Sequence, residues 1–290
     1  AEAVSDVTIE GIAFLACSVR MSASENRNIC FENNRFKYIN GEQLHRDRIQ
    51  GDREAKPVQI TGSKIRMEKC LFAGAMQSAL RLAGEDLHVG NCVFIENNRH
   101  ATFEFRPLMV YPSGDYQITR NTFFNNPSDA VRIVPDRDKM QSLNPEFSGN
   151  HIFNAGRYNT DVSGVYFPSR SQRYAEVHHN WFHNINGNAV RLDISGKELN
   201  VHHNVFWSNY RALSIEGYGS FNIYNNTAVH NQTPADLIRN VLSVSTLSRL
   251  RSGPGVIDGT SGVDLSFPPI DDWNVLNNLV EHFQDRIAPR

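Results

Sequence analysis

Arg81, Arg132 and Arg191 each stand between apolar residues in a short alternating phrase, Arg106 stands just beyond such a phrase, and Tyr166 takes the same central place in another. Guanidinium groups hold carboxylates through paired hydrogen bonds, so a row of them suits an extended polyanion such as a polyuronate or a sulfated glycan. Glu104, Asp193 and Glu216 accompany them. Two reactions fit this set. In β-elimination, cationic side chains or a Ca²⁺ ion neutralise a uronate carboxylate and ease loss of the adjacent ring proton, with Tyr166, an arginine or a histidine as base or acid. In hydrolysis, two carboxylates share the work, about 5–5.5 Å apart for retention or 6.5–9.5 Å for inversion. Asp193 and Glu216 form that pair, with Glu104 an outlying third. The competing reading is a solvated sheet face stitched by ion pairs worth about 0–1 kcal/mol each.

The catalytic candidates are therefore Arg132, Tyr166, Arg191, Asp193 and Glu216. Arg81, Glu104, Arg106, His178 and His202 are candidate substrate contacts. His178-His179 and His202-His203 recur at equivalent places, with His151 and His183 on the following strand. Such imidazoles either converge on a metal or form a surface ladder, and a metal site needs a supporting shell of partners. No metal or cofactor is expected, because no dense acidic loop suited to Ca²⁺ is found; Ca²⁺ is the one ion the chemistry would call for. Phe124, Phe153, His183 and Trp207 should face outward, where they either stack on sugar rings or seat an inserted loop or a partner.

Positioning these side chains is the work of a repeat. Segments align on one Asn: Phe31-Glu-Asn-Asn34-Arg-Phe36, Ile118-Thr-Arg-Asn121-Thr-Phe123, Phe147-Ser-Gly-Asn150-His-Ile152, Val177-His-His-Asn180-Trp-Phe182 and Val201-His-His-Asn204-Val-Phe206. Ile223-Tyr-Asn-Asn226-Thr-Ala228 and Val275-Leu-Asn-Asn278-Leu-Val280 continue the series. Cys70 and Cys92 take the place of Asn in two further copies, where small buried thiols are the simplest account. Anchors are 36, 22, 29, 29, 30, 24, 22 and 52 residues apart, so the unit of 22 carries insertions, chiefly within 40–57, 135–146 and 232–260. After each anchor comes a second phrase, such as Ala79-Leu-Arg-Leu82, Thr102-Phe-Glu-Phe105, Ala130-Val-Arg-Ile133, Gly164-Val-Tyr-Phe167, Ala189-Val-Arg-Leu192, Ala212-Leu-Ser-Ile215 and Gly262-Val-Asp-Leu265.

Alternation with a period of two is a strand signal. Strands this short cannot bury an apolar face alone, but stacked rung on rung they enclose a continuous interior of Val, Ile, Leu and Phe. The anchoring Asn would bond its own turn and the Asn of the next rung. The expected fold is all-β: a parallel β-helix solenoid of about ten rungs, forming a single domain over 1–290, in a chain that is complete with a small cap or part of a longer one. Interior positions being apolar, the residues between them form outward columns. One is Gln59, Arg81, Glu104, Arg132, Tyr166, Arg191, Ser214 and Asp264; the next is Thr61, Ala83, Arg106, Val134, Pro168, Asp193, Glu216 and Ser266. Neighbours in a column should lie about 4.8 Å apart.

The repeated Asn-anchored phrase resembles the right-handed parallel β-helix superfamily, over roughly residues 5–283. That superfamily includes pectate-lyase-like proteins, polysaccharide lyases and glycoside hydrolases. The resemblance implies a carbohydrate-active enzyme with a polysaccharide substrate and a secreted or periplasmic location. It does not choose between lyase, hydrolase and a non-catalytic glycan-binding, adhesin or spike module. The excess of cations over carboxylates on the stripe leans to the lyase. A formal net charge of −2 gives no basic footprint for nucleic acid. No apolar run approaches the length of about 18 residues that a membrane-spanning helix needs, and Ala1-Glu2-Ala3 does not open a signal peptide.

Overall fold

A computed structural model describes residues 2–40, 57–100, 105–135, 145–158, 161–168, 174–193, 199–216, 221–229, 231, 273–276 and 279–280. Every regular element among them is a β-strand, and every strand pairing is parallel. A coil has three faces. The first carries strands such as Tyr116–Thr119, Glu146–Ser148, Glu176–His178 and Leu199–His202. The second is a ten-stranded sheet running from Ala13–Leu15 to Leu279–Val280. The third carries Leu108–Pro112, Val131–Ile133, Ser163–Phe167, Asn188–Asp193 and Arg211–Glu216.

The apolar residues of the alternating phrases point inward and stack on their counterparts. Phe14, Phe36, Phe72, Phe94 and Phe123 form one file of near-parallel rings, with successive centroids 4.7, 4.9, 4.7 and 4.6 Å apart. Val131, Val165, Val190 and Leu213 form another beneath the third face. Strands Val58–Glu68 and Leu80–Gly90 run unbroken from the third face into the first. Gly62 and Gly84 are register partners at that bend, with φ of +147° and +128°. A Cβ on Gly84 would lie 1.7 Å from the Gly62 carbonyl oxygen, so only glycine lets one corner sit on the next.

The anchor turns between the first and second faces are wired as expected. The residue before each anchor turns left-handed, as at Arg120, His179 and His203. The anchor's backbone N–H then donates to the amide oxygen of the next anchor: Asn121 to Asn150 at 2.9 Å, Asn150 to Asn180 at 2.9 Å and Asn180 to Asn204 at 3.0 Å. Each side-chain NH₂ also donates to the carbonyl of a neighbouring strand, as Asn150 does to Ile118 at 2.8 Å. Cys92 enters the same ladder by donating its N–H to Asn121 at 2.9 Å, and Cys70 and Cys92 are free thiols. A second ladder, not anticipated from the sequence, lines the turn between the second and third faces. There Asn97 donates its backbone N–H to Asn126 at 2.9 Å, and Asn209 to Asn231 at 2.9 Å.

Replacing Asn150 by Leu removes partners from the buried Ile118 carbonyl and Asn121 N–H, which should destabilise the fold by about 2–4 kcal/mol. Asn150→Cys, which reproduces the arrangement at Cys92, should be milder. Denaturant midpoints of the two variants order these effects, and equal midpoints would deny the ladder its energetic role.

Candidate functional site

The third face brings three of the arginine and tyrosine candidates together. Arg132, Tyr166 and Arg191 occupy successive rungs as direct register partners, each flanked by buried aliphatic or aromatic residues of its own strand. The Tyr166 ring has the Arg191 guanidinium 5.2 Å from its centroid, that of Arg132 at 5.7 Å and that of Arg106 at 5.9 Å. Cations over an aromatic ring are held by its quadrupole, and their mutual repulsion is relieved by nearby carboxylates. Asp161 is the counter-ion of Arg191. Arg132 has no carboxylate partner among the described residues.

Arg106 does not lie on the outer column assigned to it from alternation. It is buried, with its side chain only 2% exposed, and donates from Nε to Asp129 Oδ2 at 2.6 Å. Tyr111 takes its place on the outer column, in register with Ala83. Glu104 is misplaced in the same way. The strand of that rung is Leu108–Pro112, and Met109 stands between Arg81 and Arg132 where Glu104 was expected. Glu104 itself, like Asp264 and Ser266, lies outside the described residues. Thr102-Phe-Glu-Phe105 has the alternation expected of this strand, but the strand of this rung lies five residues further on, with Met109 at the position assigned to Glu104 and Tyr111 at that assigned to Arg106.

Arg81 keeps its column and lays its guanidinium 4.6 Å from the Tyr111 ring centroid, beyond the Met109 rung from the cluster. Asp193 and Glu216 are register partners on adjacent strands; their carboxylates lie outside the described residues. His178 and His202 belong to the first face and do not join the cluster.

Two carboxylates completing the site, Asp129 and Asp161, carried no signal in the sequence because each sits in a turn outside the alternating phrases. Asp129 ties three rungs: Oδ2 accepts from Arg106, and Oδ1 accepts from the backbone N–H of Ser163. Burial pushes its carboxyl above the usual carboxylate range, and the Arg106 charge opposes that shift. Around it, Asn98 donates to the Phe105 carbonyl and to Ser128 Oγ, both at 2.7 Å, which fixes the corner that delivers Arg106. Arg132 Nε, Ser163 Oγ and Asn188 Oδ1, on three successive rungs of this face, are buried with no hydrogen-bond partner among the described residues. Unmatched buried polarity on this scale is uncommon in a purely structural surface.

The first face carries a histidine lattice. His178 and His202 stack at 4.9 Å and His179 and His203 at 5.0 Å, while His202 Nε2 meets Glu176 at 3.0 Å. Among the described residues no group of three or more His, Cys, Asp or Glu is disposed to hold a metal ion. Burial depresses the pKa of His178 and His202, with Glu146 and Glu176 respectively opposing, and does the same to His151 and His183 on the second face. The unfolded chain therefore takes up protons near the ordinary histidine value of 6.5 that the fold refuses. Histidine-dependent stability is intact above that value and declines as the pH falls through it. Denaturant midpoints should drop between about pH 7.5 and pH 5, and a flat profile would show that these rings ionise freely in the native state.

Comparison with known proteins agrees with this architecture. No curated protein and no solved structure matches the chain. The model of the right handed beta helix region matches residues 58–228, which span more than half of the sequence and include every rung of the arginine–tyrosine cluster. Since the matched segment is itself a stack of parallel three-stranded coils, the chain is a member of the right-handed β-helix family.

Proposed function

We propose that this protein is a carbohydrate-active enzyme that cleaves an extended acidic polysaccharide by β-elimination on its third face. The observation that carries the reading is Tyr166 among three guanidiniums, one of which, Arg132, has no carboxylate partner among the described residues. A uronate carboxylate binding Arg132 and Arg191 would have its charge neutralised by forked donors. Neutralisation stabilises the carbanion-like transition state that forms as the proton on the carbon bearing the carboxylate leaves. The Tyr166 oxygen is the group on this face suited to move protons. Loss of that proton and of the glycosidic oxygen from the adjacent carbon makes one carbon–carbon double bond. The departing oxygen takes up a proton and becomes the new hydroxyl end.

Asp161 holds Arg191, and the buried Asp129–Arg106 pair sets a guanidinium against the ring of Tyr166. These are positioning roles. The register of Asp193 with Glu216 supports a second reading, hydrolysis by paired carboxylates, and a module that holds glycan without turnover is the third. Incubation with polygalacturonate, alginate and glucuronan separates them. Ultraviolet absorbance from unsaturated ends is the expected result. New reducing ends without that absorbance would favour the hydrolase, and retention on immobilised polyuronate without new ends would favour the binder.

A further inference from the structure

The arginines of the third face recur at alternate rungs. Register pairing runs unbroken from Arg20, on strand Arg20–Met21, to Arg191, and every second partner is an arginine: Arg20, Arg81, Arg132 and Arg191. Gln59, Met109 and Tyr166 take the rungs between them. Stacked strands lie about 4.8 Å apart, so the arginine positions repeat at about 9.6 Å along the coil.

A face built only for stability would set carboxylates between its arginines, because opposite charges on neighbouring strands attract and like charges repel. Here the intervening residues are an amide, a thioether and a phenol. The neighbouring outward column supplies no carboxylate to the first rungs either: Thr61, Ala83 and Tyr111 are register partners there, and Asp193 with Glu216 stand further along. Arg191 is paired with Asp161, whereas Arg20, Arg81 and Arg132 have no carboxylate partner among the described residues. Arg20 is exposed, and Arg81 and Arg132 are half-buried. Arg106, the other guanidinium near Tyr166, is buried against Asp129.

Anions spaced two rungs apart are what this column lacks. An extended glycan in which uronate alternates with a neutral sugar carries its carboxylates one disaccharide apart, a length comparable to two rungs. Its neutral sugars then fall on Gln59, Met109 and Tyr166, where an amide, a thioether and a ring edge offer hydroxyl and C–H contacts. A homopolymer of uronate brings about twice as many carboxylates as there are arginines to fork onto them.

We propose that the third face reads a glycan of alternating uronate and neutral sugar, laid along the coil with its carboxylates on Arg20, Arg81, Arg132 and Arg191. This rests on the reading of that face as the site for an acidic polysaccharide, and not on the elimination chemistry.

The test is calorimetric titration, with turnover measured in parallel, using octasaccharides of hyaluronan, unsulfated chondroitin and glucuronan. The first two alternate glucuronate with a neutral sugar, and the third is glucuronate throughout. At least one alternating chain should bind about tenfold tighter than the glucuronan, although it carries half the charge. Arg81→Gln combined with Gln59→Arg keeps composition and net charge but moves one guanidinium by one rung. It should weaken the alternating chain about tenfold, as Arg81→Gln alone does, with circular dichroism unchanged. Arg20→Gln, at an exposed position, should weaken it too and gives the same readout if the exchanged pair fails to fold. Glucuronan binding as tightly as both alternating chains overturns the proposal. So does a folded exchange variant, or Arg20→Gln, that binds as the wild type does, since the face would then respond to charge without regard to spacing. Glucuronan cut while both alternating chains are ignored would end this proposal and leave the elimination reading standing. Alternating chains bound in the expected order but never cut would do the reverse, and no binding of any chain overturns both.

Discussion

Arg132→Ala and Tyr166→Phe should each reduce turnover of a polyuronate by about a hundred- to ten-thousand-fold, the range associated with loss of a group that moves a proton or holds a developing charge. Tyr166→Phe is the sharper of the two. It keeps the ring and its stack of guanidiniums, at 5.2 to 5.9 Å, and removes only the oxygen. Structure and polysaccharide binding should survive while kcat falls. Arg132→Ala should raise KM as well, because the lost guanidinium contacts the substrate before and during reaction. Arg132→Lys retains the charge without the planar fork and should fall between alanine and wild type. Initial rates of absorbance increase, with circular dichroism as the control on folding, decide the matter. Full activity in both Arg132→Ala and Tyr166→Phe would place the chemistry on another face.

The largest expected effect on stability belongs to the buried pair. Asp129→Ala leaves the buried Arg106 guanidinium without its counter-ion and the Ser163 N–H without its acceptor. Breaking a buried pair from one side typically costs about 3–5 kcal/mol. Asp129→Asn retains an acceptor for Ser163 and should lose less. Replacing both partners, as in Arg106→Met with Asp129→Asn, removes the charges together while keeping an acceptor for Ser163, and should recover most of the lost stability. Activity should not recover with it, because Arg106 also lies against the Tyr166 ring. Denaturant midpoints and polyuronate turnover of the same variants separate these outcomes. A double variant as unstable as Asp129→Ala would mean that the pair contributes shape rather than charge balance.

The solenoid was legible because its physics is local and repeated. Val131-Arg132-Ile133, Val165-Tyr166-Phe167 and Val190-Arg191-Leu192 alternate with a strand's period, and parallel stacking on a common register then sets Arg132, Tyr166 and Arg191 in one column. The Asn ladder followed from the same repetition, including its continuation through Cys92. The rung after Cys92 defeated this reading. Leu108-Met-Val-Tyr-Pro112 presents Met109 outward, so the true strand lacks the polar residue that marks its neighbours, while the preceding Thr102-Phe-Glu-Phe105 alternates cleanly.

Sequence alone was sufficient for the architecture and for three side chains of the cluster, since a period of two and a recurring turn residue are properties of neighbouring positions. Tertiary structure alone decided which charges are buried and which partners they meet. Arg106 can be buried because Asp129, 23 residues further along and in no strand, stands one coil away in space to neutralise it. Asp161 reaches Arg191 across 30 residues for the same reason. Partners contributed by the turns of adjacent coils obey no local period, so only the stacking of one coil on the next discloses them.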